Sequence, residues 1–203
     1  MTTLPCSAIT VEQVIEKNKA TLTGIKDFTC VLSFSVKGTS VRVPDSRASI
    51  LFKMPDKFRA KPLDGDFAVL PRSWRFAVGN IVARLAATCD LKVLREEDLG
   101  GRKQYVLRAD ERGDKGGGRY HLLWVDAERF TVGALRSYEP KEQPATMTLG
   151  YTAQGKAWLP CEVRINASFH HRDQEETLNA TLKLTDYKVN VGLTDDQFKD
   201  EGK

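Results

Sequence analysis

Three histidines, His121, His170 and His171, are the residues of this 203-residue chain best suited to moving protons near neutral pH. His121 falls in an alternating segment at a position of polar parity, and His170-His171 stand beside Arg172-Asp173 in what reads as a hairpin turn. Both settings predict solvated side chains rather than a catalytic or metal site. The sequence has no G-x-S-x-G elbow, no H-E-x-x-H and no P-loop, since Gly116-Gly117-Gly118 lacks the following lysine and hydroxyl residue. Four cysteines, Cys6, Cys30, Cys89 and Cys161, are too widely spaced for the CxxC pairs of zinc or redox sites. Three of them fall at apolar positions of predicted elements, as small buried hydrophobes do. In an oxidising compartment the four could form up to two disulfides, with three full pairings open. The expectation is a protein that is not an enzyme and uses neither metal nor cofactor.

Charge and hydropathy narrow the classes further. The 31 basic residues are interspersed with 27 acidic ones, which describes a mixed solvated surface rather than a nucleic-acid interface. No run reaches the ~18 to 20 apolar residues of a membrane-spanning helix. The start, Met1-Thr2-Thr3-Leu4-Pro5-Cys6, has neither the basic flank nor the apolar core of a secretion signal. Length predicts a single domain over residues 1–203, with 1–9 as a flexible leading segment and 199–203 as a polar tail.

Candidate reactive groups being sparse, the elements carry the argument. The dominant signal is period two, which marks strands with one apolar and one wet face. Phe28, Cys30, Leu32, Phe34 and Val36 alternate with Thr29, Ser33 and Ser35. Ala48, Ile50, Phe52 and Met54 alternate with Arg47, Ser49 and Lys53, then Pro55-Asp56 supplies a turn before Phe58 and Ala60. Tyr120, Leu122 and Trp124, then Ala145, Met147, Leu149 and Tyr151, then Leu159, Cys161, Val163, Ile165, Ala167 and Phe169 repeat the pattern. The last run carries Leu178, Ala180, Leu182 and Leu184, then changes parity to Tyr187, Val189 and Val191, which predicts a bulge near Thr185-Asp186. Breakers at Asp64-Gly65-Asp66, Gly100-Gly101, Gly116-Gly117-Gly118 and Gln154-Gly155 separate the strands.

Two stretches follow the helical period instead. Thr10 and Gln13 have the spacing of a capping box, and Val11, Val14, Ile15, Asn18, Leu22 and Ile25 mark one face of the helix that follows. A shorter helix around 80–88 sets Ile81, Val82 and Leu85 in a stripe. Two short helices cannot cover the apolar face of so many strands. The sheet either closes on itself as a filled sandwich or curls into a trough that receives an apolar ligand, and periodicity does not separate the two.

Three stretches resemble the LolA-like outer-membrane lipoprotein-sorting family. Phe52-Lys53-Met54-Pro55-Asp56-Lys57-Phe58-Arg59 looks like its strand, proline turn, strand signature; Leu123-Trp124-Val125-Asp126 resembles its mid-chain strand ending in aspartate; and Tyr187-Lys188-Val189-Asn190-Val191-Gly192-Leu193, with Phe198, is similar to its C-terminal ending. The resemblance implies a mainly β fold with a few α-helices, an unclosed antiparallel half-barrel of about eleven strands under a helical lid. It implies a periplasmic carrier, working as a monomer, that binds lipid or the acyl chains of lipoproteins for transport between inner and outer membrane. Its partners would be inner- and outer-membrane lipoprotein-sorting proteins, and the secretion signal would already have been removed. One departure stands out: the family's carriers have an arginine before the turn proline, holding the lid shut, and this chain has Met54.

On that reading the cavity is expected to be lined by Phe34, Ile50, Phe52, Met54, Phe58, Trp124, Met147, Leu149, Val163, Ile165 and Leu182, with Val14 and Leu85 contributing from the lid. The alternative is a periplasmic interaction or sensor module of the same fold that binds a protein partner. Anchoring through an acylated Cys6 is disfavoured, because Leu4-Pro5-Cys6 lacks the small residues such a site has.

Overall fold

The computed structural model describes residues 9–39, 42–64, 81–113, 118–140, 142–171 and 174–199. Cys6 with Leu4-Pro5, Gly65-Asp66, Gly116-Gly117, Arg172-Asp173 and 200–203 lie outside them, and of Phe169, His170 and His171 only the backbone is described.

Helix α1 (Val11–Ala20) starts where the capping box places it. The Gln13 N–H donates to Thr10 Oγ1, and the Thr10 N–H donates to Gln13 Oε1 at 3.0 Å, so two end donors are satisfied reciprocally. Its inner face buries Val14 and Asn18. Strands β1 (Asp27–Gly38), β2 (Arg42–Lys53) and β3 (Lys57–Pro62) follow as a meander, then helix α2 (Ile81–Thr88). The rest is strand: β4 (Cys89–Leu99), β5 (Arg102–Glu111), β6 (Tyr120–Asp126), β7 (Val132–Tyr138), β8 (Ala145–Gln154), β9 (Ala157–His171) and β10 (Gln174–Val189), before a short 3-10 helix at Asp195–Phe198.

All ten strands described form one sheet in the order β3-β2-β1-β10-β9-β8-β7-β6-β5-β4. Every neighbouring pair is antiparallel. The sheet is unclosed, with β3 and β4 as its edges. Chain order and sheet order agree except that β10 returns to pair with β1, which joins the two meanders. Laid flat, ten strands would span roughly 45 Å. Yet Ile50 on β2, Leu123 on β6 and Leu182 on β10 share one core cluster. The sheet is therefore curled, its apolar face turned inward, and the two helices pack against each other on that side.

The local signals explain much of this path. Leu99 faces Arg102 across the two-residue turn Gly100-Gly101, and both glycines have positive φ (60° and 77°), the backbone of a type I′ hairpin. The predicted parity change in β10 is a bulge: Thr29 pairs with Lys188 but Val31 with Thr185, and Asp186 takes up the extra residue at φ 55°. Leu182 and Leu184 before the bulge and Tyr187 and Val189 after it all reach the core.

Two of the motifs that carried the family resemblance are chain fasteners. Asp126 ends β6 by accepting the N–H groups of Glu128 and Arg129, and its other oxygen meets the Arg102 guanidinium. Burial pushes the Asp126 carboxyl upward, but Arg102 and the two N–H donors outweigh it and hold the group below the usual carboxylate range. At the C-terminal end, the buried Asp27 carboxylate accepts the N–H groups of Val191, Gly192 and Leu193. The Asn190 side chain accepts from the Lys26 N–H and donates to the Gly24 carbonyl. The segment after β10 is thereby tied to the loop that enters β1.

One facing differs from the sequence expectation. In β6 the buried residues are Leu123 and Val125, so Trp124 and Leu122 lie on the outer face and His121 on the inner one. Apolar residues stand at both parities in Leu122-Leu123-Trp124-Val125, so alternation alone does not choose the face. The Trp124 indole donates to Glu97 and lies under the Arg136 guanidinium, a wet-face arrangement.

Candidate functional site

A cavity of about 490 Å³ lies between α2 and the inner face of the sheet. Its apolar wall is formed by Ile81 and Leu85 of α2, Leu135 of β7, Met147 of β8, Ile165 of β9 and Leu182 of β10. Cys89 of β4, Glu111 of β5 and His121 of β6 complete a wall contributed by seven strands that are consecutive in the sheet. The volume lies within the ~300–1,000 Å³ of pockets that enclose most of a small ligand. At roughly 30 Å³ for a water-sized group it accommodates about sixteen methylene-sized groups, the bulk of one acyl chain.

Helix α2 is fixed over this space at its C-terminal end. The Arg112 guanidinium donates to the carbonyls of Ala86, Ala87 and Cys89 and pairs with Asp90 at 2.7 Å, satisfying carbonyls that a helix leaves open. Ile81 and Val82 are buried, whereas Arg84 and Thr88 are exposed at the cavity mouth.

Of the thirteen expected lining residues, the structure brings Leu85, Met147, Ile165 and Leu182 to the cavity. Val14, Phe34, Ile50, Phe52, Leu149 and Val163 are buried in the packed core instead, and Phe58 packs half-buried against it. Phe28 explains why that part of the interior is solid: its ring stacks on Phe52 at 5.0 Å and meets Tyr187 edge-on at 5.4 Å. Met54 is 38% exposed in the turn between β2 and β3, its N–H bonded to the Lys26 carbonyl, and does not border the cavity. Trp124 is outside, on the outer face of β6. A core position and a cavity position have the same alternation, which is why the sequence does not divide them.

Sequence reasoning misses His121, Ser137, Glu111 and Arg84, all of which line the cavity. Ser137 and Glu111 lie in strands without a recognisable apolar period, and His121 stands at what the sequence presents as polar parity. The signal that could have found them is the pairing of Ala109 with His121 and of His121 with Ser137, which requires the register to be known.

The described cysteines do not form disulfides: Cys30 and Cys89 are buried, Cys161 is half-buried, and all three are free thiols. Burial pushes the Cys30 thiol up to about 12. No group of three or more metal-ligating side chains occurs among the described residues, and no described helix is long and apolar enough to cross a membrane.

Neither a protein-family model nor a curated protein sequence matches the chain. Solved structures do. A DUF1329 family protein from Desulfovibrio piger superposes with a TM-score of 0.63 at 12% identity, over 94% of this chain and 97% of that one. A domain described as an outer membrane lipoprotein-sorting protein from Vibrio parahaemolyticus gives 0.60 at 16% identity, over 94% and 96%. A LolA superfamily protein from Nitrosomonas europaea gives 0.58 at 15% identity, over 95% and 98%. The unclosed antiparallel sheet under two helices, matched along nearly the whole length of all three, is a LolA-like fold.

Proposed function

We propose that this protein is a periplasmic carrier that holds a lipid, or an acyl chain of a lipoprotein, in the cavity beneath α2 and moves it between envelope membranes as a single folded domain. The observation that carries the reading is the cavity: about 490 Å³ walled by Ile81, Leu85, Leu135, Met147, Ile165 and Leu182. A folded domain ordinarily fills such space, because interiors pack to the density of organic crystals. An acyl chain placed there gains about 0.8 kcal/mol for each methylene withdrawn from water. The likeness in fold to a lipoprotein-sorting domain accords with this use.

Without an arginine before the turn proline, closure does not depend on a side chain at Met54. Arg112 holds the C-terminal end of α2 instead, and the exposed Arg84 and Thr88 mark the side from which a ligand would enter. No covalent chemistry is required of the site.

The test is uptake of a fluorescent fatty acid, together with native mass spectrometry and lipid extraction of protein isolated from a Gram-negative periplasm. A stoichiometric lipid, and loss of probe binding in a folded Ile165→Glu variant, are the expected results. A bare protein that also ignores the probe overturns the carrier role and leaves a module that binds a protein partner.

A further inference from the structure

The lining of the cavity is not uniformly apolar. Arg84 contributes from α2, Glu111 from the end of β5, His121 from the start of β6 and Ser137 from β7. Three of these are joined across neighbouring strands: His121 Nδ1 lies 2.9 Å from Ser137 Oγ, and His121 Nε2 lies 3.4 Å from Glu111 Oε1. The imidazole is 18% exposed and the Glu111 side chain 38%, so the row runs from the interior to the mouth.

Its placement is unusual for a packing role. His121 occupies an inward position in line with Leu123 and Val125, directly opposite Ala109 on one side and Ser137 on the other. An apolar residue there would continue the core and fill part of the cavity. Withdrawing an imidazole and part of a carboxylate from water is unfavourable unless they are hydrogen-bonded. A pocket that held only hydrocarbon would gain nothing from them, whereas polar groups gathered at one end of an apolar pocket orient a ligand that has a polar end.

The charges specify what kind of end. Arg84 borders the cavity from the helix wall and Glu111 from the sheet wall. Guanidinium pairs well with phosphate, and carboxylate pairs more strongly with a cationic donor such as an ammonium than with a neutral hydroxyl. A wholly anionic head would be repelled by Glu111, and repulsion of the wrong partner is an effective source of specificity. Resting on the reading of this cavity as a lipid site, we propose that Arg84, Glu111, His121 and Ser137 form a head-group site for a zwitterionic amphiphile. Its phosphate would lie toward Arg84 and its ammonium toward the Glu111–His121 pair, with one acyl chain along Leu135, Met147, Ile165 and Leu182.

The test compares lysophosphatidylethanolamine, lysophosphatidylglycerol of the same acyl chain and free phosphoethanolamine by titration calorimetry below the micelle-forming concentration. The wild type should prefer the ethanolamine lipid by roughly tenfold, the worth of one charge-assisted hydrogen bond set against a repulsion. Glu111→Gln should bring the two lysolipids within about twofold of each other. His121→Gln should narrow the gap in the same direction, and both variants are to be checked for an unchanged unfolding midpoint. Free phosphoethanolamine should not bind measurably. Equal affinity for both lysolipids in the wild type, or a preference that survives Glu111→Gln, overturns the head-group site while leaving the carrier intact. Tight binding of free phosphoethanolamine overturns the amphiphile and points to a soluble ligand. Binding of none of the three overturns the carrier reading itself.

Discussion

The two ends of the curled sheet use the same alternation for opposite purposes. Toward α1 the interior is solid. Phe28, Phe52 and Tyr187 interlock, Tyr105 stacks on Phe130 at 6.0 Å, and the Tyr187 hydroxyl donates to the Pro160 carbonyl. Helix α1 is bound to this end by the Asn18 amide, which donates to the Phe130 carbonyl, and by the Trp158 N–H, which donates to the Thr21 carbonyl. Toward α2 no phenylalanine, tyrosine or tryptophan ring among the described residues borders the space, several inward positions are small or polar, Ala145, Ser137 and His121 among them, and a cavity remains. Aromatic rings fill space that a curved sheet opens, and where they are withheld the space persists. The size of the cavity is thus set by which inward positions lack bulk, more than by any added motif.

Truncation at the solid end should show the largest effect. Phe28 is fully buried and touches two other rings, so Phe28→Ala should destabilise the fold by about 3–5 kcal/mol in urea unfolding. Met147 is half-buried and borders space that is already empty, so Met147→Ala should cost less than about 1 kcal/mol while weakening uptake of an acyl probe. Similar losses at both positions would show that the α2 end is packed in solution.

Enlargement reverses the order of tolerance. Ala48 is completely buried between β1 and β3, and Ala48→Leu should destabilise by about 1–3 kcal/mol through overpacking. Ala145 borders the cavity, so Ala145→Leu should be neutral or stabilising by up to about 1 kcal/mol and should reduce acyl uptake. Loss of stability in Ala145→Leu without loss of uptake would place the ligand elsewhere.

This contrast also accounts for what the sequence discloses. Strands with long one-sided alternation, such as β1 and β10, are legible, and so are the capping box of α1 and the bulge at Asp186. Three strands, β4, β5 and β7, are not. β4 is an edge strand whose Arg95-Glu96-Glu97-Asp98 run lies mostly in solvent, so alternation there has no core to record. Cavity lining is legible only as apolar parity, which gives Met147, Ile165 and Leu182 together with core residues such as Ile50 and Val163. The polar row is hidden because Glu111, His121 and Ser137 come from three strands and meet only through the register of the sheet.

The smallest expected effect tests whether the solid end is as dry as its packing implies. Cys30 is 2% exposed beside Tyr187, and burial raises its thiol from an ordinary value of 9.0 to about 12. Burial likewise raises the Tyr187 hydroxyl, and the neighbouring Cys30 raises it further, whereas the Tyr187 hydrogen bond offsets part of the effect of burial on Cys30. A group with a raised folded value favours the fold in its protonated form. Its contribution is complete below the unfolded value and is lost as pH rises from about 9 toward 12. Between pH 9 and 10 the thiol alone should remove about 1 kcal/mol of stability, because a tenfold fall in proton activity is worth at most about 1.4 kcal/mol to a single ionising group. Urea unfolding at pH 8, 9 and 10 should therefore fall more steeply for the wild type than for Cys30→Ala, whose curve lacks this ionisation. Parallel curves would mean that water reaches Cys30 in the native state, and that the α1 end is open in the same sense as the α2 end.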